Sequence, residues 1–477
     1  MIYGPELLLG LLIAAAAGLY FLRRMEGVAA LAAAGAATGL ALLLWLLPHD
    51  APVELFGRRV WLGQPISWDA GRITLQIGPA TNTLLIFLLV VAAASFILAW
   101  LTYQGRSFYP FGLLLLAVWA TVAMLQPLTL APFAIVLASI ISVFLIQAGK
   151  TGETRGAWRQ LLFPTLAAPL FLVATWYIEQ APLNPDDQTP FVIAGWLLIA
   201  GFVLLLQPAP FHVATPAVAG QAPPVVAVFL WIGSQTTILF LLQRFLVVYP
   251  WLTSAIDSAR WLLWLGVFTA GLGGALTATQ QSLGRFLGYA GLYDYGVLLV
   301  AMALRGTAGL PTAIWLVLTR TFALLTLASG AALIRHHMES DRLERIAGAL
   351  SRMPLAVIAL ITGGLALAGL PLTAQFASRW ALFQLLAEND PRWVLFLMLG
   401  AAGVILGTVR AGYACFGRLT HSPVEREPLL ASLLIFALVA LGVIFGPLSA
   451  TSDRAGRRGD LAAFHPRPLK RQPDRFW

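Results

Sequence analysis

Along most of this chain the hydrophobic positions do not alternate with polar ones; they run on. Stretches such as 28–47 and 109–126 are apolar almost without interruption, and about 20 such residues in a helix cross a hydrocarbon core of roughly 30 Å. Strands of a membrane barrel would alternate over about ten positions, so the pattern predicts helices. About fourteen spans are expected, near 5–22, 28–47, 80–102, 109–126, 128–148, 160–178, 189–207, 223–247, 261–279, 286–304, 309–334, 354–388, 392–416 and 428–449. Between the second and third, VELFGRRVWLGQPISWDAGRITLQI alternates around Gly and Pro, which predicts a small extramembrane hairpin.

Two spans are interrupted. LLLQPAPFHVATPAVAGQAPP, residues 204–224, carries Pro208 and Pro210, and LALAGLPLTAQFASRW, residues 365–380, breaks at Gly369 and Pro371. Proline removes a backbone donor and clashes with the preceding turn, so a mid-membrane break frees carbonyls that lipid cannot satisfy. Such breaks persist inside protein or beside water. The broken helices are the seventh and the twelfth, the spacing expected of two five-helix repeats of inverted topology, helices 4–8 and 9–13. The predicted organisation is therefore an all-α polytopic membrane protein. Residues 1–104 hold helices 1–3 and the hairpin, 105–250 the first repeat, 251–418 the second, and 419–477 the last helix and a basic tail.

Composition agrees: 59% of the 477 residues are hydrophobic and 11% charged, with a mean hydropathy of +0.82, which excludes a soluble globular protein of this size. Cys415, the only cysteine, falls in a predicted helix, so the chain alone offers no zinc ribbon, iron–sulfur cluster or internal disulfide. The opening MIYGPELLLGLLIAAAAGLYFLRR has its charges after the apolar run; it reads as a retained first helix with its N-terminus outside. With that orientation Arg23, Arg24, Arg106, Lys150, Arg155, Arg159, Arg285, Arg335 and Arg342 fall inward, while the acidic EQAPLNPDD lies outward, in keeping with the positive-inside bias. The net charge of +9 then reads as attraction to lipid headgroups rather than to nucleic acid. An even span count places the basic tail 450–477 outside, which calls for a different count or a partner that receives it.

Charges within spans are costly, about 2.5–3.5 kcal/mol each on insertion scales, and so need a reason. Asp294 follows Arg285 by nine residues, placing it about 13 Å deep. Arg320 is similarly central, Arg379 and Arg410 complete the set, and His212 lies at the first break. Two readings of Asp294 are open: a neutralising pair with Arg320 or Arg379, or a proton carrier with a raised pKa. His212 either titrates near neutrality or caps a broken helix. The lysines, Lys150 and Lys470, are both outside the predicted membrane core. A lysine relay is excluded, and arginine, always protonated, cannot replace it. Gly271-Leu272-Gly273-Gly274 predicts close helix packing. No Gly-rich nucleotide loop, metal-ligand cluster or nucleophile beside a base marks a catalytic site.

PAPFHVATPAVAGQAPPVVAVFLWIGSQ resembles the pattern K-x4-PFHxWxPDxYxxAPTPVxAFLSxxxK of the antiporter-like membrane subunits shared by complex I, multisubunit Na+/H+ antiporters and membrane-bound hydrogenases. ALTATQQSLGRFLGYAGLYDYGVLL and LALAGLPLTAQFASRW are similar to two further motifs of that family, in the same order, over roughly residues 80–415. Short loops favour the chain N type. The resemblance implies a fourteen-helix core in which a Glu on the fifth helix and Lys on the seventh, eighth and twelfth pass protons along the midplane. Carried over, the Glu falls at about Ser139 and the lysines at Leu205, Gln235 and Arg379, while the tenth-helix His falls at Asp294; Pro210, His212 and Pro371 are retained.

The resemblance implies a membrane-arm subunit of a complex I-like NADH:quinone oxidoreductase in the cytoplasmic membrane, associated with proton translocation coupled to quinone reduction. Such a chain binds no cofactor of its own; NADH and quinone are met by partner subunits. A non-conducting structural subunit and an Mrp- or hydrogenase-type cation/proton antiporter subunit are the alternatives, with an independent solute transporter as a third class. Candidate path or midplane residues are Asp294, Arg379, Arg320, His212 and Gln235, around the breaks at Pro208, Pro210, Gly369 and Pro371; no catalytic or metal-binding residue is expected.

Overall fold

Proline starts helices in this chain as well as breaking them: Pro79, Pro224, Pro354 and Pro391 each sit in the first turn of a helix, where the missing N–H has no intrahelical partner to lose. The computed structural model describes residues 2–49, 51–55, 58–68, 73–147, 154–180, 189–252, 257–304, 309–417 and 430–442. Lys150, residues 181–187 with Asp186 and Asp187, Arg305, Arg418, Arg426 and the basic tail with Lys470 lie outside the described residues.

The helices are α1 (Gly4–Leu22), α2 (Glu26–Leu46), α3 (Pro79–Leu101), α4 (Phe108–Met124), α5 (Ala131–Gln147), α6 (Arg155–Gln180), α7 (Thr189–Leu206), α8 (Ala214–Gln221) and α9 (Pro224–Val248). They continue as α10 (Ser258–Thr277), α11 (Leu283–Ala303), α12 (Gly309–His337), α13 (Pro354–Ala368), α14 (Phe376–Asn389), α15 (Pro391–Ala414) and α16 (Leu430–Gly442). Among the described residues eleven helices are long and apolar enough to cross a membrane, and Phe108–Met124, Pro354–Ala368 and Leu430–Gly442 are shorter apolar ones. Each stretch expected to span holds a helix. Two boundaries move: α6 starts at Arg155, drawing Arg155 and Arg159 into the helix, and Cys415 sits just past the end of α15, buried.

The expected hairpin is two. β2 (Val53–Leu55) pairs antiparallel with β3 (Arg58–Trp61), and β4 (Ile66–Trp68) pairs antiparallel with β5 (Ile73–Leu75). Each gains a third strand from a helix end: β1 (Ile2–Tyr3) runs parallel to β3, and β6 (Leu125–Gln126) antiparallel to β5. These two-residue strands are too short for any periodicity to announce. They tie the start of α1 and the end of α4 to one side of the bundle.

The centre is formed by the helices that carry polar groups. Within the most apolar window of each, α11 is 89% buried, α12 83% and α9 78%, against 28% for α1 and α10. Small residues permit the close approach. A Cβ at Gly274 would collide with the Gly400 backbone of α15, and one at Gly273 with the Tyr293 backbone of α11, whereas Gly271 faces open space. The predicted glycine packing is therefore carried by Gly273 and Gly274.

Beyond α12 the chain folds back under α11: the Leu283 N–H donates to the Asp341 carbonyl, and the Gly284 N–H to Asp341 Oδ1 at 2.9 Å. This carboxylate caps the helix, yet burial raises its pKa above the ordinary 3.8, more than Arg335 and the Gly284 N–H lower it. A folded-state pKa above the unfolded one contributes stability that is present below the unfolded pKa and lost as pH rises through the folded pKa. Asp341→Asn, which keeps an acceptor for Gly284, is therefore expected to raise the melting temperature at pH 8 relative to wild type, with the gain vanishing below pH 4; a melting series over pH 4–8 in detergent checks it.

Candidate functional site

At both breaks backbone groups that leave the helix find other partners. At the first, α7 stops at Leu206, Gln207 takes a positive φ of 50°, and α8 follows the turn. The Ala209 N–H donates to Thr269 Oγ1 of α10 at 2.9 Å, the Val225 N–H to Gln104 Oε1 at 3.2 Å, and the Ala222 carbonyl accepts from Arg335 at 3.2 Å. Pro208 is buried here and Pro210 exposed. At the second break, α13 ends on Gly369 in the left-handed region, φ 78°. Its N–H and that of Leu370 return to the Ala366 and Leu365 carbonyls, a glycine-capped helix end. Pro371 follows, exposed, and α14 resumes at Phe376.

The resumed helix delivers Arg379 to the centre. Asp294, 2% exposed, lies on α11 between Arg320 of α12 and Arg379 of α14, which are 2% and 1% exposed. Arg320 Nε donates to Asp294 Oδ2 at 2.8 Å, and Arg379 Nη2 to Oδ1 at 2.7 Å. Gln375, one turn before Arg379, donates its amide to the same Oδ1 at 2.8 Å and accepts from Arg379 Nε at 3.2 Å. Arg379 Nη1 donates to Tyr293 Oη at 2.8 Å, and Tyr293 Oη donates to the Leu397 carbonyl at 3.3 Å. On the other flank Arg320 Nη2 donates to Gln235 Oε1 of α9 at 2.8 Å. The Arg379 guanidinium carbon lies 4.9 Å from the Tyr293 ring centre, and that of Arg320 lies 5.8 Å from the Tyr295 ring centre. Beside them Thr319 and Ser378 share a hydroxyl contact at 3.0 Å.

Asp294 stands in a triad, with both arginines on one carboxylate. Asp294, Arg320, Arg379 and Gln235, singled out on the sequence, come together. His212 does not join them: half-buried at the first break, its ring lies 6.4 Å from that of Tyr289, and its Nδ1 has no partner. Arg410 is exposed on α15, with its guanidinium on the Ala278 carbonyl. Gln375, Tyr293 and Tyr295 are additions that the sequence reading misses, although Gln375 stands one turn from Arg379 and the tyrosines flank Asp294 in sequence.

Beyond Gln235 a cavity of about 40 Å³ is lined by Ser139, Ser142, Leu205, Gln207, Gln235 and Thr237, room for about two or three waters. Three of these are positions where the resemblance puts titratable residues; here they are a hydroxyl, a hydrocarbon and an amide. Among the described residues no three His, Cys, Asp or Glu side chains gather as metal ligands would.

Helices that enclose a buried charge cluster, one of them resuming after a break to deliver Arg379, define a polytopic membrane protein with a polar centre shielded from lipid. The chain matches, over residues 171–405, the family described as NADH:quinone oxidoreductase/Mrp antiporter, TM. It is 25% identical over 284 residues to NADH-quinone oxidoreductase subunit N of Desulforamulus reducens, covering 56% of this chain and 58% of that protein. To subunit N of Gemmatimonas aurantiaca it is 29% identical, covering 67% and 65%; to subunit N 2 of Acidobacterium capsulatum, 27%, covering 86% and 87%. The chain thus spans less than two thirds of the length of the first two. The fold is similar to that of a chain in the archaeal membrane-bound sulfane sulfur reductase (TM-score 0.77, 17% identity, 95% and 97% covered) and in the Mrp complex of Dietzia (0.74, 15%, 93% and 94%). A chain of Thermus thermophilus respiratory complex I gives 0.70 at 20% identity, with 92% and 96% covered.

Proposed function

We propose that the chain is a membrane-arm subunit of a complex I-like NADH:quinone oxidoreductase of the cytoplasmic membrane, and that it holds a fixed charge cluster at the midplane without passing protons along the family's Glu and Lys route. The observation that carries the second half is the engagement of both Asp294 oxygens: two guanidinium groups and an amide donate to them, charge-assisted hydrogen bonds that tie the carboxylate to fixed partners. The positions that would relay protons are Ser139, Leu205, Gln235 and Arg379. None can release and regain a proton near neutral pH. NADH and quinone belong to partner subunits in this reading, and the two repeats, 105–250 and 251–418, supply one broken helix each, the second of which brings Arg379 to the cluster.

Co-purification from gently solubilised native membranes with a tagged copy tests the assignment. Subunits of a quinone-reducing module are expected; Mrp-type partners would redirect the chain to cation/proton exchange, and recovery alone would favour a solute transporter. The cavity beside Gln235 favours a second reading, conduction through ordered water. In the same preparation, reconstituted in vesicles, Ser139→Val fills that cavity. The ratio of protons moved to electrons transferred is expected to stay at the wild-type value, and a fall by half or more with intact assembly would establish the water path.

A further inference from the structure

A second cavity, of about 290 Å³, is lined by α7, α9 and α10 together with the adjoining ends of α11 and α12. Apart from Gln243 and Ser258, every described residue on its wall is apolar. Water settles in a cavity only where polar groups can bind it, and an empty space of this size forfeits the contacts of its walls. An apolar occupant is called for.

The wall sets the shape of that occupant. Ile199 to Leu206 along α7 and Ser258 to Leu265 along α10 both belong to it, and seven residues of helix measure about 10 Å. Ser258 opens α10, Leu304 follows the end of α11 and Leu310 lies in the first turn of α12, so the mouth is at the membrane face. The deep end is at Leu265 and at Leu206, where α7 stops at the first break. A methylene is close in size to a water, about 30 Å³, so the space takes about ten of them in a row.

The mouth carries the groups that meet a headgroup. Trp261 lines the cavity and is exposed, its ring 6.0 Å from that of Trp196, and the Trp264 and Trp393 rings lie 4.7 Å apart. Tryptophan gathers at the level of the headgroups. Arg260, exposed, stands in the first turn of α10 beside Trp261. The neighbouring carboxylate, Asp257, caps the helix and accepts from the Arg260 backbone N–H at 3.3 Å. A guanidinium at this level attracts a lipid phosphate.

We infer that one acyl chain of a membrane phospholipid occupies this cavity, entering from the leaflet at which α7 and α10 start, with its phosphate at Arg260 and its tail against Leu206. Leu206 also lines the polar cavity beside Gln235, so the tail backs the wall of that space. The inference does not depend on whether the chain passes protons.

The test uses the native complex, washed in excess detergent to release bound lipid and then given phosphatidylglycerol with a photoactivatable diazirine on one acyl chain. Labelled residues are mapped by peptide mass spectrometry. A diazirine at the methyl end is expected to reach Phe202, Leu206 and Leu265, and one beside the ester carbonyl Ser258, Leu304 and Leu310. Unlabelled phosphatidylglycerol should displace both in a saturable way, whereas labelling of Leu137, on the exposed face of α5, should not saturate. Arg260→Gln should raise the half-saturating concentration about fivefold. Ala303→Phe, which fills the cavity from α11, should lower labelling of Leu206 by about tenfold and leave Leu137 unchanged. Absence of label on the cavity wall, the same residues reached by both probes, or labelling of Leu206 unmoved by Ala303→Phe would overturn the proposal. Displacement by a short-chain ubiquinone and not by unlabelled phosphatidylglycerol would overturn it in favour of a quinone tail. Should Ala303→Phe fail to assemble, the positions reached by the two probes in wild type decide alone.

Discussion

Asp294→Asn is expected to remove most of the folded chain from the membrane. The substitution leaves Arg320 and Arg379 facing each other's charge with an amide between them, in a place where 1–2% of either side chain meets the outside. Breaking a buried ion pair by deleting one partner costs about 3–5 kcal/mol, and here one carboxylate serves two partners. Against a total stability of about 5–15 kcal/mol, a several-fold fall in steady-state level and in the monodisperse peak after detergent extraction is expected. The double variants Asp294→Asn/Arg320→Gln and Asp294→Asn/Arg379→Gln return the cluster to the wild-type net charge and should recover part of the loss. If Asp294→Asn instead accumulates and assembles normally while proton translocation fails, Asp294 is a proton carrier and the fixed-charge reading is wrong.

The three members of the triad are legible in the sequence, and their pairing is not. Asp294, Arg320 and Arg379 stand out because lipid tolerates few charges, and depth counted from Arg285 places Asp294 at the midplane. That both arginines meet the one carboxylate depends on how α12 and α14 turn about α11, which no local pattern carries. The same gap separates His212 from the cluster: its neighbours in sequence identify a helix break, while the direction in which the break points its ring is set by contacts with Tyr289 and with α6 through the Phe163 and Phe211 rings. Arg410 fails for the opposite reason. Its sequence position lies within a span, but it is on the exposed face of α15, while the buried residues of that helix are Leu397, Gly400, Gly403, Val404, Gly407, Thr408, Ala411 and Gly412. That stripe recurs at helical spacing, and is enough to exclude Arg410 from the centre. The sheets' third strands, two residues long, have no sequence signal to read.

Gly369→Ala should disable the second break while leaving every charged residue in place. The residue is needed twice. Its φ of 78° is a conformation that costs an alanine about 1–2 kcal/mol, and a Cβ there would run into the Cδ of the Arg379 side chain. Arg379 cannot give way cheaply: its Nη1 is held by Tyr293, its Nη2 by Asp294 and its Nε by Gln375. Moving it strains the triad from the side opposite to Asp294→Asn, so the loss should exceed the backbone cost alone and approach that of a broken buried pair. Gly271→Ala supplies the comparison, because nothing lies within 4 Å of a Cβ at that helical position. It is expected to leave the melting temperature unchanged or raise it, alanine being the better helix former by about 1 kcal/mol. Gly369→Ala should lower the melting temperature of the tagged complex by several degrees more than Leu372→Ala, which keeps a positive φ at an exposed residue of the same turn. Leu372→Ala trades one side chain for another at an unchanged positive φ, so equal losses in the two would mean that Gly369 is needed neither for its φ nor for the path of Arg379.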